Sequence, residues 1–378
     1  MLNVAVFFGG RSCEHDVSVI TGVQTMANLC AVKYKTTPIY MKDGAFYTGE
    51  RLKDVSFFEK PNMKKCTKLW LIDGAFYSRV KNVFVKKFTP DVALVCCHGG
   101  EGENGVLQGL LEYNGIPYTS AGVLQSSLCM DKVLSKQLVD GLMLNTVPEI
   151  SFLRADYLKN TKDVLRHVTT FLDYPMIVKP ASLGSSIGIR RADNQQELKD
   201  AIEIAMKFDR KIIVESALSD FTELNCAVFS DGKDVFVSEV ERPVGWNDFL
   251  SFDDKYISGN KTSGNKREFP AKISEEIRDE VRETSKRIYT DLDMSGVIRI
   301  DYLLSSENKL FVNEINTVPG SMAFYLFEPS GITFSDLLDR ITEGALRAFS
   351  EKKKSRLQYD SSVIKNFASG GGSKRLQK

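Results

Sequence analysis

The sequence has no apolar run near the ~18 residues needed to span a bilayer, and no C-x-x-C pair among its seven cysteines. The odd cysteine count, with Cys96 and Cys97 adjacent inside an apolar run at 92–97, argues against a disulfide framework or a zinc site. Buried, reduced thiols in a cytoplasmic protein are the expectation, and a strand-like run at 4–8 with no leader ahead of it agrees. Charge excess is absent too: 50 Lys and Arg against 49 Asp and Glu leave +1 over 378 residues. No general field therefore draws nucleic acid or an anionic membrane, and a charged substrate has to be held by local groups. What is present, 43% apolar and 26% charged residues, is ordinary for a globular chain with two or three cores.

The most informative stretch is VIRIDYLLSSENKLFVNEINTVPG, residues 297–320. Apolar runs at 297–304 and 310–315 flank a short polar connection and predict a β-hairpin. Alternation puts Arg299 and Asp301 on one face of the first strand, and Glu314 and Asn316 on one face of the second. A loop at 306–309 sets Asp301 opposite Glu314 and Arg299 opposite Asn316. Two carboxylates and an amide on one face suit a hard divalent cation, which takes oxygen ligands and keeps positions open for phosphate. The other face, with Ile298, Ile300, Tyr302, Phe311 and Ile315, is apolar and suited to a core.

Residues 1–121 alternate strand signals at 4–8, 36–40 and 91–97 with helix signals at 17–29 and 106–113. That alternation predicts a Rossmann-like, mostly parallel sheet with its crevice at the carboxyl ends of the strands, so the loops at 9–16 and 98–105 matter most. The block 122–215 reads as a helix at 130–140, a strand at 176–179, a glycine and serine loop at 182–188, a helix at 195–208 and a strand at 211–215. From 216 to 350 the pattern is more strand-rich, with runs at 225–229 and 235–240, a polar stretch at 246–266, a helix at 274–291, the hairpin and an amphipathic helix at 334–349. The expected class is α/β, turning α+β in the C-terminal part, with a disordered tail at 351–378.

Lys179 ends one of these strands, and the backbone amides and small hydroxyls of the following loop can close over phosphates, although that loop is no P-loop. Lys132 precedes a helix. Glu215 ends a buried strand and Glu223 follows it, a pair able to accept from an adenine amino group and ribose hydroxyls.

Taken in order, these features resemble the ATP-grasp arrangement and, within it, the D-alanine–D-alanine ligases. The matching segments are FFGGRSCEHDVS (7–18), HGGEGENGVLQGLLEYNGIPYTSAG (98–122), MDK (130–132), VKPASLGSSIGI (178–189), DDKY (253–256), RIDYLL (299–304) and NEINTVPG (313–320). The resemblance implies a three-domain fold divided at 1–121, 122–215 and 216–350, and ATP-driven amide formation for peptidoglycan precursors. In that chemistry the carboxylate of one D-alanine takes the γ-phosphoryl group, and the amine of a second attacks the acyl phosphate. It implies that Asp301, Glu314 and Asn316 hold two Mg²⁺ ions, or Mn²⁺ in their place. Arg299 and the amide of Gly320 would stabilise the acyl phosphate and the oxyanion. Lys132, Lys179, Ser186 and Lys255 would contact ATP phosphates, with Glu215 at the adenine and Glu223 at the ribose. Glu14, Ser185 and Tyr256 would meet the ammonium of the first amino acid, with His98 near it. Residues 246–266 would form a lid with flexible points at Gly259 and Gly264, and the assembly would be a homodimer.

Beyond Gly320 the resemblance weakens. Family members usually carry a longer segment whose serines receive the second amino acid's carboxylate. Here SMAFYLFEPSGITF (321–334) reads as shorter and more apolar, and Ser321 is the hydroxyl to nominate. The acceptor stays open among D-alanine, D-serine, D-lactate and another amine. A catalytically silent ATP-binding regulator is the alternative from another class; the complete set of Arg299, Asp301, Glu314 and Asn316 stands against it.

Overall fold

The structure, a computed structural model, describes residues 1–244, 266–355 and 361–368. Its first sheet has seven strands: β1 (Leu2–Gly9), β2 (Tyr34–Lys42), β3 (Ala45–Thr48), β4 (Thr67–Ile72), β5 (Ala75–Val80), β6 (Val83–Phe88) and β7 (Val92–Val95). Their order is β6-β5-β4-β3-β2-β1-β7. β1 pairs in parallel with β2 and β7, as the alternation predicts, but β2 to β6 run as an antiparallel meander, so the sheet is mixed. The turns explain this. Asp43-Gly44, Asp73-Gly74 and Lys81-Asn82 all have φ between 46° and 73°, the mirror-image two-residue turn whose twist returns a strand onto its neighbour.

Helix α1 (His15–Asn28) packs on β1, and two short helices, α2 (Gly100–Glu103) and α3 (Val106–Tyr113), follow β7. The helix expected at 130–140 is two: α4 (Val123–Met130) and α5 (Lys132–Gly141). They break at Asp131, whose carboxylate accepts from the N–H groups of Val133 and Leu134 and so caps α5. The second sheet, ordered β10-β9-β11-β8, is antiparallel and comprises β8 (Glu149–Leu153), β9 (Met176–Pro180), β10 (Arg190–Ala192) and β11 (Lys211–Ser216). Helices α6 (Arg154–Lys159), α7 (Thr161–Phe171) and α8 (Gln195–Ala205) bury Tyr157, Leu165, Val168, Leu198 and Ile202 against it.

The third sheet, ordered β13-β12-β16-β17, holds β12 (Phe221–Ser230) and β13 (Val235–Val237), then β16 (Val297–Ser305) and β17 (Leu310–Asn316). Between them the chain forms a ribbon, β14 (Arg242–Val244) with β15 (Lys266–Glu268), and helix α9 (Glu275–Asp291). The last long helix, α10 (Phe334–Lys353), starts with a Thr333/Asp336 capping box and runs past the expected end at 349; a short helix at Val363–Ala368 lies within the tail. The apolar side of α10, with Phe334, Leu337, Leu338 and Ile341, shares one core with Val4, Val6, Phe8, Val92 and Leu94 of the first sheet.

The hairpin register is the one read from the sequence where it matters: Asp301 lies opposite Glu314 and Arg299 opposite Asn316. Nearer the loop it differs. Leu304 pairs with Leu310, Leu303 with Phe311 and Tyr302 with Val312, and a bulge at Asn313 absorbs the extra residue. Ile298, Ile300, Tyr302 and Ile315 share one core cluster as expected; Phe311 is also buried, but outside that cluster. The bulge shifts the alternation by one residue, so Phe311 stands beside Leu303 on the face that carries Asp301.

Candidate active site

Three strands place the polar face as a grid. Along β16, Arg299, Asp301 and Leu303 are flanked on one side by Ala227, Asn225 and Glu223 of β12, and on the other by Asn316, Glu314 and Phe311 of β17. One end of this face is cationic and carboxylate-rich, the other apolar with a carboxylate at its edge. The Arg299 guanidinium grips Asp301 with two hydrogen bonds, Nε to Oδ1 at 2.6 Å and Nη2 to Oδ2 at 2.8 Å. Burial would pull the Arg299 pKa down, but the Asp301 charge more than offsets it and the group is held more firmly protonated than usual. The Asn316 amide donates to Asp301 Oδ2 at 3.1 Å, and the Asn225 amide, oriented with its nitrogen toward the carboxylate, donates to Oδ1 at 3.2 Å.

Lysines complete the electrostatics. Lys132, 7% exposed, donates to Glu314 Oε1 and to the carbonyl of Leu183, each at 2.7 Å, tying the 182–188 loop to β17. Burial raises the Glu314 pKa, yet the Lys132 charge outweighs it and the carboxyl stays below the usual range. Glu215 sits between two lysines, with Lys179 Nζ at 2.6 Å and Lys136 Nζ at 2.7 Å. Burial opposes its ionisation, but the two ammonium groups hold its pKa down at about 2. Lys179 also reaches the bulged Asn313 at 3.4 Å. Glu223 lies opposite Leu303 at the apolar end of the grid.

The loops meet over this face. Ser185 and Ser186 adopt left-handed φ values of 53° and 58°, and the Ser185 hydroxyl donates to Glu14 Oε1. Gly184, just before them, lies close under the Glu14 carboxylate: a Cβ there would be 2.9 Å from Oε2 and would push that side chain aside. His98 does not point at a free space. Its Nδ1 donates to the Val318 carbonyl at 2.7 Å, and its Nε2 accepts from the Thr21 hydroxyl at 2.8 Å. Burial pushes its pKa down to about 4, so the ring is neutral with the proton on Nδ1. Gly320 opens a kinked segment, Gly320–Leu326, interrupted by Ser321, Met322 and Ala323, whose φ values of 49°, 53° and 48° are left-handed rather than helical. The Ser321 N–H donates to Thr21 Oγ1 at 3.1 Å, and its hydroxyl donates to Gln24 Oε1 at 2.7 Å, both on α1. Lys255, Tyr256 and all but the last residue of the 246–266 stretch lie outside the described residues.

Several contributors are not legible from residue type and spacing. Glu103, 9% exposed, accepts from Gly99 N–H at 2.8 Å and Val318 N–H at 2.9 Å, so Glu103 and His98 together bind both backbone polar groups of Val318. Burial and the nearby Glu14 charge push its pKa up to about 7. Residues 100–105, GEGENG, have the glycine spacing of a dinucleotide loop, but Glu103 turns inward to the Gly99 and Val318 N–H groups and Glu101 pairs with Arg11. Asn225, Asn313, Lys136 and Thr21 also enter the site only through pairing or packing.

The carboxylates fit a hard cation chemically, offering facing oxygen donors and an amide. Among the described residues no group of three or more His, Cys, Asp or Glu side chains is placed to hold an ion; two carboxylates and an amide would leave coordination positions for phosphate oxygens and water. Among solved structures, the VanG D-Ala:D-Ser ligase of Enterococcus faecalis superposes with a TM-score of 0.77 at 28% identity, covering 91% of this chain and 99% of that one. The D-alanine-D-alanine ligase of Helicobacter pylori gives 0.73 at 26%, covering 90% and 98%. Fold and site thus define an ATP-dependent ligase of the ATP-grasp class. Family models for the D-ala D-ala ligase N-terminus and C-terminus match residues 3–121 and 138–343. A D-alanine–D-alanine ligase from Thermosipho africanus is 38% identical over 367 residues, 96% of this chain and 98% of that one. The chain belongs to the D-alanine–D-alanine ligase family.

Proposed function

We propose that this chain joins two D-alanines with ATP for peptidoglycan precursor synthesis, through an acyl phosphate formed over the β12-β16-β17 face. The observation that carries the reading is the run of facing pairs, Arg299 with Asn316, Asp301 with Glu314 and Leu303 with Phe311. Its apolar end suits a base and its carboxylate end a triphosphate. Asp301, Glu314 and Asn316 would hold Mg²⁺, which when bound neutralises charge on the phosphate oxygens. Lys132 and Lys179, now held by Glu314 and Glu215, turn toward those oxygens when ATP enters. Lys136 stays on Glu215 and keeps it ionised beside the adenine. Glu14, fixed by Ser185, takes the ammonium of the first D-alanine. Arg299 and the Gly320 N–H stabilise charge as the second amine attacks the acyl carbon. The protein works in the cytoplasm as a homodimer.

The test is replacement of the facing carboxylates. Asp301→Asn and Glu314→Gln should each abolish dipeptide formation in a protein that still folds, with some loss of thermal stability because Arg299 and Lys132 each lose a charged partner. Wild-type turnover in either variant would refute the assignment.

A further inference from the structure

The segment after Gly320, apolar and poor in hydroxyls, leaves the acceptor's carboxylate without an obvious partner, and the Ser321 hydroxyl is already engaged by Gln24. The structure brings a different group there. Tyr325 follows Gly320 in the same segment, past the left-handed Ser321, Met322 and Ala323, and its hydroxyl donates to Glu241 Oε2 at 2.9 Å. Glu241 is 2% exposed, and its backbone pairs with Asn225, whose own strand position faces Asp301. Against the ring of Tyr325 lies Arg267 of β15. Its guanidinium carbon is 4.4 Å from the ring centroid, and its Nε is 3.3 Å from Glu241 Oε1, while 48% of its side chain stays exposed. A planar cation stacked on an aromatic ring and steadied along one edge by a buried carboxylate is preorganised to grip a second carboxylate with its other edge.

We propose that Arg267 binds the carboxylate of the acceptor amino acid, with the Tyr325 ring as its platform and Glu241 fixing both. The inference rests on the ligase reading above. The acceptor is therefore an α-amino acid with a free carboxylate, approaching the acyl phosphate from the Tyr325 side. Arg299, whose guanidinium holds Asp301 at the carboxylate end of the site, is near enough to Tyr325 and Glu241 for their charges to act on it. The amine is thereby presented toward the acyl carbon while the carboxylate stays on Arg267.

The test compares two acceptors in one enzyme. With hydroxylamine as acceptor, ATP and D-alanine report acyl phosphate formation as the hydroxamate; with D-alanine as acceptor they report the dipeptide. Arg267→Met should raise the KM for the second D-alanine by about tenfold or more and leave hydroxamate formation within about twofold. It should also narrow the preference for D-alanine over D-alaninamide as acceptor, and Arg267→Lys should recover part of both. An unchanged acceptor KM, or a parallel fall in hydroxamate, overturns this assignment and leaves the proposed function standing. Absence of dipeptide from the wild-type enzyme overturns the proposed function, and this inference with it.

Discussion

At the scale of residues, the site is a set of buried charges whose protonation the fold itself sets. His98 is held neutral at about pKa 4, below the ordinary 6.5, so the unfolded chain binds more protons between those values. Its contribution to stability is therefore complete above pH 6.5 and is lost as pH falls toward 4. Glu215, held at about 2, behaves alike at lower pH: its contribution is present above the ordinary 4.5 and fades below it. Glu103 has the opposite sign. Raised from 4.5 to about 7, it binds its proton more tightly when folded, so between those values its share of stability falls as pH rises. Glu103 thus offsets part of the histidine's acid loss. Glu103→Gln should steepen the fall in denaturation midpoint between pH 6.5 and 4.5 relative to wild type; an unchanged slope would show that Glu103 does not titrate there.

At the scale of elements, the hairpin shows what period-two alternation can and cannot convey. The facing of Asp301 and Glu314 follows from strand periodicity and was legible, because the apolar residues that alternate with them are unambiguous. The bulge at Asn313 was not, since a one-residue slip near the loop and its later correction leave no mark in composition. Phe311 was misplaced for that reason. The meander between β2 and β6 had a usable signal in Asp43-Gly44 and Asp73-Gly74, each a strong hairpin pair between apolar runs. Contacts such as Glu103 with Val318, or Lys136 with Glu215, join distant parts of the chain and no local pattern announces them. The same holds for Thr21, whose hydroxyl links α1 to His98 and to the Ser321 N–H. Thr21→Val strands a buried acceptor and a backbone donor, and should cost roughly 1–3 kcal/mol in urea denaturation. A loss under about 0.5 kcal/mol would mean the bridge is energetically idle.

At the scale of the whole molecule, the first sheet ends in the edge strand β6, whose Val83, Phe84 and Val85 are exposed by 63%, 46% and 42%. An apolar edge of that kind is a liability in a monomer. The proposed homodimer predicts a sedimentation mass of twice the 42.3 kDa chain, and a single-chain mass would overturn it.

The core shared by β1, β7 and α10 bears on how the protein is made. A ribosome delivers β1 first and α10 more than three hundred residues later, so the nascent sheet waits with one apolar face incompletely covered until synthesis is almost finished. Val318, the backbone unit that both His98 and Glu103 grasp, emerges equally late. A chain stalled before Val318 lacks both the backbone unit that His98 and Glu103 hold and the helix that completes this core, and so leaves apolar surface open to chaperones and proteases.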